Sequence, residues 1–358
     1  MLTWHDEPGL SHSCLFLIPV VSKEESCMKR YAFIVVCMFV VTSLIGGYTA
    51  EIEAAEGQIA LYTSVPQPIA DKIQNDFQTK YPEITLDVFR AGTSEVVAKI
   101  MTEKQAGEVM ADLVWVAEPS TYEDFKDQDM LLQFTPEEAD ALPAEMKDPD
   151  GFYYAGRLIN MVIAYNTTLV SEPPQGWQDL LNPEFKGSLG FPTPLRSGAA
   201  EASVKTLVDA FGWQYFEDFI ANGGAQVKNN STARDMVSTG ELAVGVLLDY
   251  MARAAKEKGS PIDYVWPEEG AIFIPSPIAV MKSSKNPEAA KEFVNYVVSQ
   301  EGQMTMVELG NFIPVRADVN PPAGAPALDK INKLPTDWKA VKQERQDLKD
   351  RWEDMFAE

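Results

Sequence analysis

The run Pro194-Leu195-Arg196-Ser197-Gly198 sets a guanidinium, a hydroxyl and a backbone position without a side chain next to one another, directly before the helix predicted over Ala199 to Phe211. The first amides of a helix have no partner inside it and its dipole leaves partial positive charge there, so this trio can hold an anion. The local alternative is an ordinary Ser N-cap beside a surface arginine. Similar polar groups follow other apolar runs: Tyr62-Thr63-Ser64, Ala91-Gly92-Thr93-Ser94-Glu95, Ala117-Glu118-Pro119-Ser120, Lys228-Asn229-Asn230-Ser231 and Asp249-Tyr250. Hydroxyls and amides at Ser64, Thr93, Ser94, Ser197, Gly198 and Ser231 suit an oxyanion, with Arg196 adding charge. Glu118 and Asp249 would then accept bonds from hydroxyls or an amine at the other end of the same solute. Capping offers a second reading of Thr93 or Ser94, with Glu95 near the third position of a capping box.

Other chemistries are absent from most of the chain. All three cysteines (Cys14, Cys27, Cys37) and both histidines (His5, His12) lie within residues 1–55. That segment reads as a secretory signal: basic Met28-Lys29-Arg30, an apolar run from Ala32 to Leu44, then Gly46-Gly47, Ala50 and Ala54-Ala55. The run is short of the roughly 20 residues that a membrane span needs, and a retained anchor is the alternative. Met28 is the expected start, with residues 1–27 an upstream extension. Cys37 sits inside the apolar run behind Val36 rather than at its end, so a soluble exported protein is expected and a lipoprotein is not. Past residue 55 the chain has no imidazole and no thiol, which excludes disulfides, histidine-based nucleophile activation and thiolate or imidazole metal sites. No cofactor is expected. A hard metal held by oxygen of Tyr, Asp or Glu is what remains. Without residues 1–55, which hold six acids and three bases, the net charge is about −20. Such a surface repels nucleic acid and favours solubility.

The polar groups need elements to position them. Ile59 to Thr63, Thr85 to Phe89 and Asp112 to Val116 read as strands, and Pro68 to Tyr81 and Thr93 to Gln105 as amphipathic helices. Strands alternating with helices imply an α/β fold with parallel sheet, whose ligands gather at the carboxyl ends of strands. Further along come an apolar run from Leu158 to Tyr165, a strand from Ser188 to Phe191, a helix from Thr232 to Thr239 and a strand from Ala243 to Leu248. Ile272 to Met281 is extended, with Pro275 and Pro277 marking a crossing or edge strand. Helices close the chain at Pro287 to Gln300 and Trp338 to Phe356. The length allows two lobes.

The run Pro174, Trp177, Asp179, Leu180-Leu181, Pro183, Phe185-Lys186-Gly187, with Tyr165-Asn166 before it, resembles the opening of the second lobe in substrate-binding proteins of ABC importers. The similarity is to the branch with ferric-ion, sugar-phosphate and aminoethylphosphonate binders. Leu61-Tyr62-Thr63-Ser64, Pro194 to Gly198, Ile274 to Val280 and Asn286 to Gln303 resemble further segments of that branch, in the same order. The resemblance implies a two-lobed periplasmic-binding-protein fold of type II with the ligand cleft between its lobes. It places lobe 1 at residues 56–160 plus 275–305, lobe 2 at 161–274 plus 306–358, and hinges near Arg157 to Ile163 and Phe273 to Ile278. It also implies a small-molecule solute, an inner-membrane ABC permease as partner, and a monomer. A phosphate-bearing organic anion is the solute expected, and ferric ion is the alternative. The ferric members carry two adjacent tyrosines where this chain has Asp249-Tyr250-Met251, leaving Tyr250, with Tyr62 or Tyr153 and Glu118 or Asp249, to assemble such a site. A hydrolase pairing Glu118 with Asp249 is the remote reading, since no motif selects that pair; the chain is expected not to be an enzyme.

Overall fold

The computed structural model describes residues 55–357, so the expectations about a signal, about Met28 and about Cys37 fall outside the described residues. The β-α alternation read from the sequence builds one mixed sheet whose strands, in order across it, are Ile84–Arg90, Gly57–Thr63, Leu113–Trp115, Ala271–Val280, Tyr154–Asn166, Val244–Leu248, Leu189–Pro192 and Ala225–Val227. Its two ends are parallel blocks. In the first, β1 (Gly57–Thr63) pairs with β2 (Ile84–Arg90) and β3 (Leu113–Trp115); in the second, β5 (Leu189–Pro192) pairs with β6 (Ala225–Val227) and β7 (Val244–Leu248). Helices α1 (Gln67–Lys80), α2 (Thr93–Ala106) and α3 (Pro119–Asp127) follow the strands of the first block. In the second block α4 (Gly198–Phe211), α5 (Gln214–Ala221), α6 (Asn230–Thr239) and α7 (Asp249–Glu257) do the same.

Two long antiparallel strands join the blocks. The first half of β4 (Tyr154–Asn166) pairs with β9 (Ala271–Val280), and its second half pairs with β7 and with β8 (Ile262–Val265). The end of β9 pairs with β3, and its start pairs with the short β10 (Lys333–Leu334). Both are buried along almost their whole length, which explains why they read as near-continuous apolar runs. β9 is therefore a crossing strand in the interior of the sheet; the edge alternative is corrected, and so is the expectation that its prolines keep it from a central position. At Pro275 and Pro277 only β4 runs alongside, because β10 has ended at Ile272 and β3 begins at Ile278. A missing N–H there breaks no second ladder.

The closing segments differ from expectation in one respect. After α8 (Pro287–Val298) and α9 (Gln300–Gly310), the expected terminal helix is two, α10 (Trp338–Gln343) and α11 (Arg345–Ala357). Trp352 of α11 is fully buried against Phe191 and Phe216, ring centroids 5.7 and 5.2 Å away, which seats α11 on the second block. Lys342 of α10 pairs instead with Asp127 and donates to the Glu123 carbonyl, both on α3 of the first block. No helix among the described residues is long and apolar enough to cross a membrane.

Candidate anion-binding cleft

The carboxyl ends of all six parallel strands converge on one cavity of about 270 Å³. Ser64 follows β1, Arg90 ends β2, Ala117 follows β3, Arg196 and Ser197 follow β5, Lys228 to Ser231 follow β6, and Leu248, Tyr250 and Met251 lie at the end of β7 and just past it. Parallel sheets place ligands there because their strands lead into helix N-termini. Two of those N-termini are capped at the cavity wall: Ser197 Oγ accepts from the Ala200 amide at 3.2 Å, and Asn229 Oδ1 from the Thr232 amide at 2.9 Å. A third, that of α2, arrives from the opposite block with Thr93.

The walls approach closely across the cleft. A Cβ on Gly92 would lie 3.0 Å from the Arg196 carbonyl oxygen. One on Gly198 would lie 3.0 Å from Thr93 Cγ2 and 3.2 Å from Glu118 Cγ. Glycine at these two positions allows backbone from one block to approach the other.

Charge in the cavity is unbalanced. Arg90, Arg157, Arg196 and Lys228 line it, against a single carboxylate, Glu95, which is exposed and 4.0 Å from Arg196. Arg157 is 2 % exposed, on the crossing strand β4. Its Nε donates to Ser276 Oγ at 3.2 Å, which in turn donates to the Val116 carbonyl, and its guanidinium lies over the rings of Phe312 and Trp115. Its Nη1 is buried without a partner in the protein, as are Ser64 Oγ and Asn230 Oδ1 on the same cavity. Burial pulls the Arg157 guanidinium below its ordinary value, an effect that Tyr250 opposes. Burial likewise raises the Tyr250 phenol, against the pull of Arg157. A buried cation with a free donor is costly unless an anion completes it.

The structure distributes the residues singled out from the sequence unevenly. Ser64, Thr93, Arg196, Ser197, Ser231 and Tyr250 line the cavity, whereas Ser94, Glu118, Gly198 and Asp249 do not. Glu118 is a correction: its carboxylate N-caps α3, accepting from the Ser120 amide at 2.7 Å and from the hydroxyls of Ser120 and Thr121, and it points toward Arg345. Asp249 is another, since it is fully buried, accepting from the Asn160 amide at 2.9 Å and pairing with Arg253 at 3.1 Å. Helix capping at α2 is a third, because Gly92 is the N-cap residue and no side chain caps it. Of the oxygen set named for iron, Tyr62 donates to Glu103 and Tyr153 to Glu123, so only Tyr250 lines the cavity. Sequence reasoning did not assign Arg90 or Arg157 to the site, and of the polar run Lys228 to Ser231 it singled out Ser231 alone. Arg157 had a signal: it is the one charge in a run that otherwise reads as a buried strand.

The sequence profile described as bacterial extracellular solute-binding protein matches residues 108–344, more than half of the chain. The chain belongs to that family. As such, this solute-binding protein is the extracellular component of an ABC importer, working with a small-molecule substrate and a membrane permease. A Salmonella typhimurium protein named for 2-aminoethylphosphonate binding in the periplasm is 26% identical over 288 residues, covering 75% of this chain and 82% of that protein. The periplasmic binding protein AfuA from Actinobacillus pleuropneumoniae, solved with exogenous fructose-6-phosphate, aligns with a TM-score of 0.76 and 24% identity over 84% of this chain and 99% of that one. Iron-bound HitA from Pseudomonas aeruginosa aligns with a TM-score of 0.72 and 23% identity, over 82% and 98%. These likenesses establish the two-lobed binding-protein fold.

Proposed function

We propose that this solute-binding protein captures an organic anion carrying a phosphate or phosphonate group and delivers it, chemically unchanged, to its permease. The observation that carries the reading is the buried Arg157 with its free Nη1, set in a cavity where four cationic side chains face one exposed carboxylate. Three helix N-termini add their dipoles to the same space. An adjoining hollow of about 560 Å³ shares Ser231, Tyr250 and Met251 with the cavity. There Lys72, Arg234 and Lys258 are matched by Asp235, Glu257 and Glu308, so it provides room for a polar organic remainder without a preference of sign. The relative named for aminoethylphosphonate and the neighbour solved with a sugar phosphate support this class of solute.

Binding of such an anion bridges Arg90 and Thr93 of one block and Ser197 and Lys228 of the other, and so stabilises the closed cleft by its differential affinity for it. The β4 and β9 crossing is the hinge of that motion, with the lobes divided as the resemblance implies. Ferric ion is the second reading. Tyr250 at the cavity wall favours it, together with the fold shared with iron-bound HitA. Among the described residues no group of three or more His, Cys, Asp or Glu is placed to hold a metal ion, so ferric ion would have to arrive with an anion on the arginines.

Calorimetric titration of 2-aminoethylphosphonate and fructose-6-phosphate into the wild-type protein and Arg157→Met tests the reading. The wild type should bind at least one of them, and the variant should lose about 1.5–3 kcal/mol, the value of a hydrogen bond to a charged group. Equal affinity in the two proteins would remove Arg157 from the site.

A further inference from the structure

The C-terminal helices carry a cation that neither block supplies. Arg345, the first residue of α11, reaches into the seam between α3 and α4. Its Nη2 donates to Ser120 Oγ at 2.7 Å and lies 3.7 Å from Glu118, and its Nη1 pairs with Asp124, all three on the first block. Its Nε donates to Glu201 Oε1 at 2.6 Å, in the first turn of α4 on the second block. Lys349, one turn further along α11, pairs with the other oxygen of Glu201 at 2.7 Å. Glu118 and Glu201 are buried, one from each block, and they stand directly behind cavity-lining residues: Ala117 precedes Glu118, and Ser197 opens the helix that carries Glu201.

We infer that Arg345 is a positioning residue for solute capture, bridging Ser120 and Asp124 behind one cavity wall with Glu201 behind the other and so holding the two walls at their closed spacing. A strap of this kind is possible because α11 is seated on the second block through Trp352 while α10 is held on α3 through Lys342. Without Arg345, two buried carboxylates from opposite blocks face each other with only Lys349 between them and the solvent, and closing the cleft brings like charges together. Opening the cleft relieves that repulsion, and a hinge on two strands permits it. The capture role rests on this cavity being the solute site; the restraint on opening does not.

Small-angle scattering of the solute-free protein tests the inference without any ligand. Arg345→Ala should have a larger radius of gyration than the wild type, and Arg345→Lys, which keeps the charge but loses the fork, should move back toward the wild-type curve. Should Arg345→Ala fail to fold, Arg345→Gln, which keeps much of the length but loses the charge and the fork, leaves the two carboxylates facing each other and should open the protein likewise. Scattering curves of Arg345→Ala and Arg345→Gln that superimpose on the wild type would overturn the inference. A lowered melting temperature with unchanged dimensions would overturn it too, since that is what a purely structural ion pair gives. Failure of every phosphate-bearing compound to bind, with the opening still observed, would overturn the proposed solute and leave the strap standing.

Discussion

At the scale of single residues, Arg157 and Arg196 separate two kinds of charge. Arg157 is packed between Phe312 and Trp115 and held by Ser276, so its free donor is aimed before any solute arrives. Arg196 is more than half exposed, with Glu95 4.0 Å away. An ion pair at such a surface contributes about 0–1 kcal/mol, so Arg196→Ala should weaken anion binding by no more than that, clearly less than Arg157→Met. A titration in which Arg196→Ala is the more damaging of the two would reverse their roles. The sequence pointed to Arg196 because a cation before a helix start is a local pattern. Arg157 carried a weaker signal, a lone charge in a run that reads as a buried strand, and its role depends on a strand crossing that brings it to residues far away in the chain. Glu118 and Asp249 mislead for the converse reason: acids at strand ends look available, yet Arg345 reaches Glu118 from far along the chain, and Asp249 is taken by the distant Asn160 amide and by Arg253 one turn along its own helix.

At the scale of elements, most boundaries were legible from periodicity, and the exceptions have physical causes. The helix expected to begin at Thr232 begins at Asn230, because Asn229 supplies the cap. The single terminal helix is broken at Glu344, and Arg345 of the second piece then reaches Glu118 and Glu201. Prolines in β9 could not distinguish edge from crossing, since both leave one side of a strand unpaired. The α3 start also sets a pH dependence. Burial holds the Glu118 carboxyl above its usual range, Glu201 adds to this, and Arg345 opposes it. The native protein therefore takes up a proton on Glu118 while the unfolded chain is still ionised there. Stability from this group rises as pH falls through the raised native value, is complete below the unfolded value, and is lost again as pH rises. Glu118→Gln should flatten the part of the melting-temperature profile that runs from the ordinary carboxyl value, about pH 4, up through the raised native one. An unchanged slope in the variant would assign the effect to another group.

At the scale of the whole molecule, five of the six parallel strands were legible from two runs of alternating strand and helix, each followed by an extended run; the short β6 was not. That much of the architecture was readable. The way the two blocks meet was not, because it depends on glycines 92 and 198 meeting side chains and backbone from distant parts of the chain. The site is a product of that meeting: each block alone presents polar strand ends, and only together do they enclose a cavity with an excess of positive charge. The most direct test is a thermal melt of the protein against sugar phosphates, phosphonates, polyols and iron(III) citrate. A ligand at 100 times its dissociation constant adds about 2.7 kcal/mol of stability, enough to shift the melt visibly. A phosphate- or phosphonate-bearing compound should raise the melting temperature while polyols without an anionic group leave it unchanged. A shift with iron(III) citrate alone, or with an uncharged polyol, would contradict an anion cleft built on Arg157.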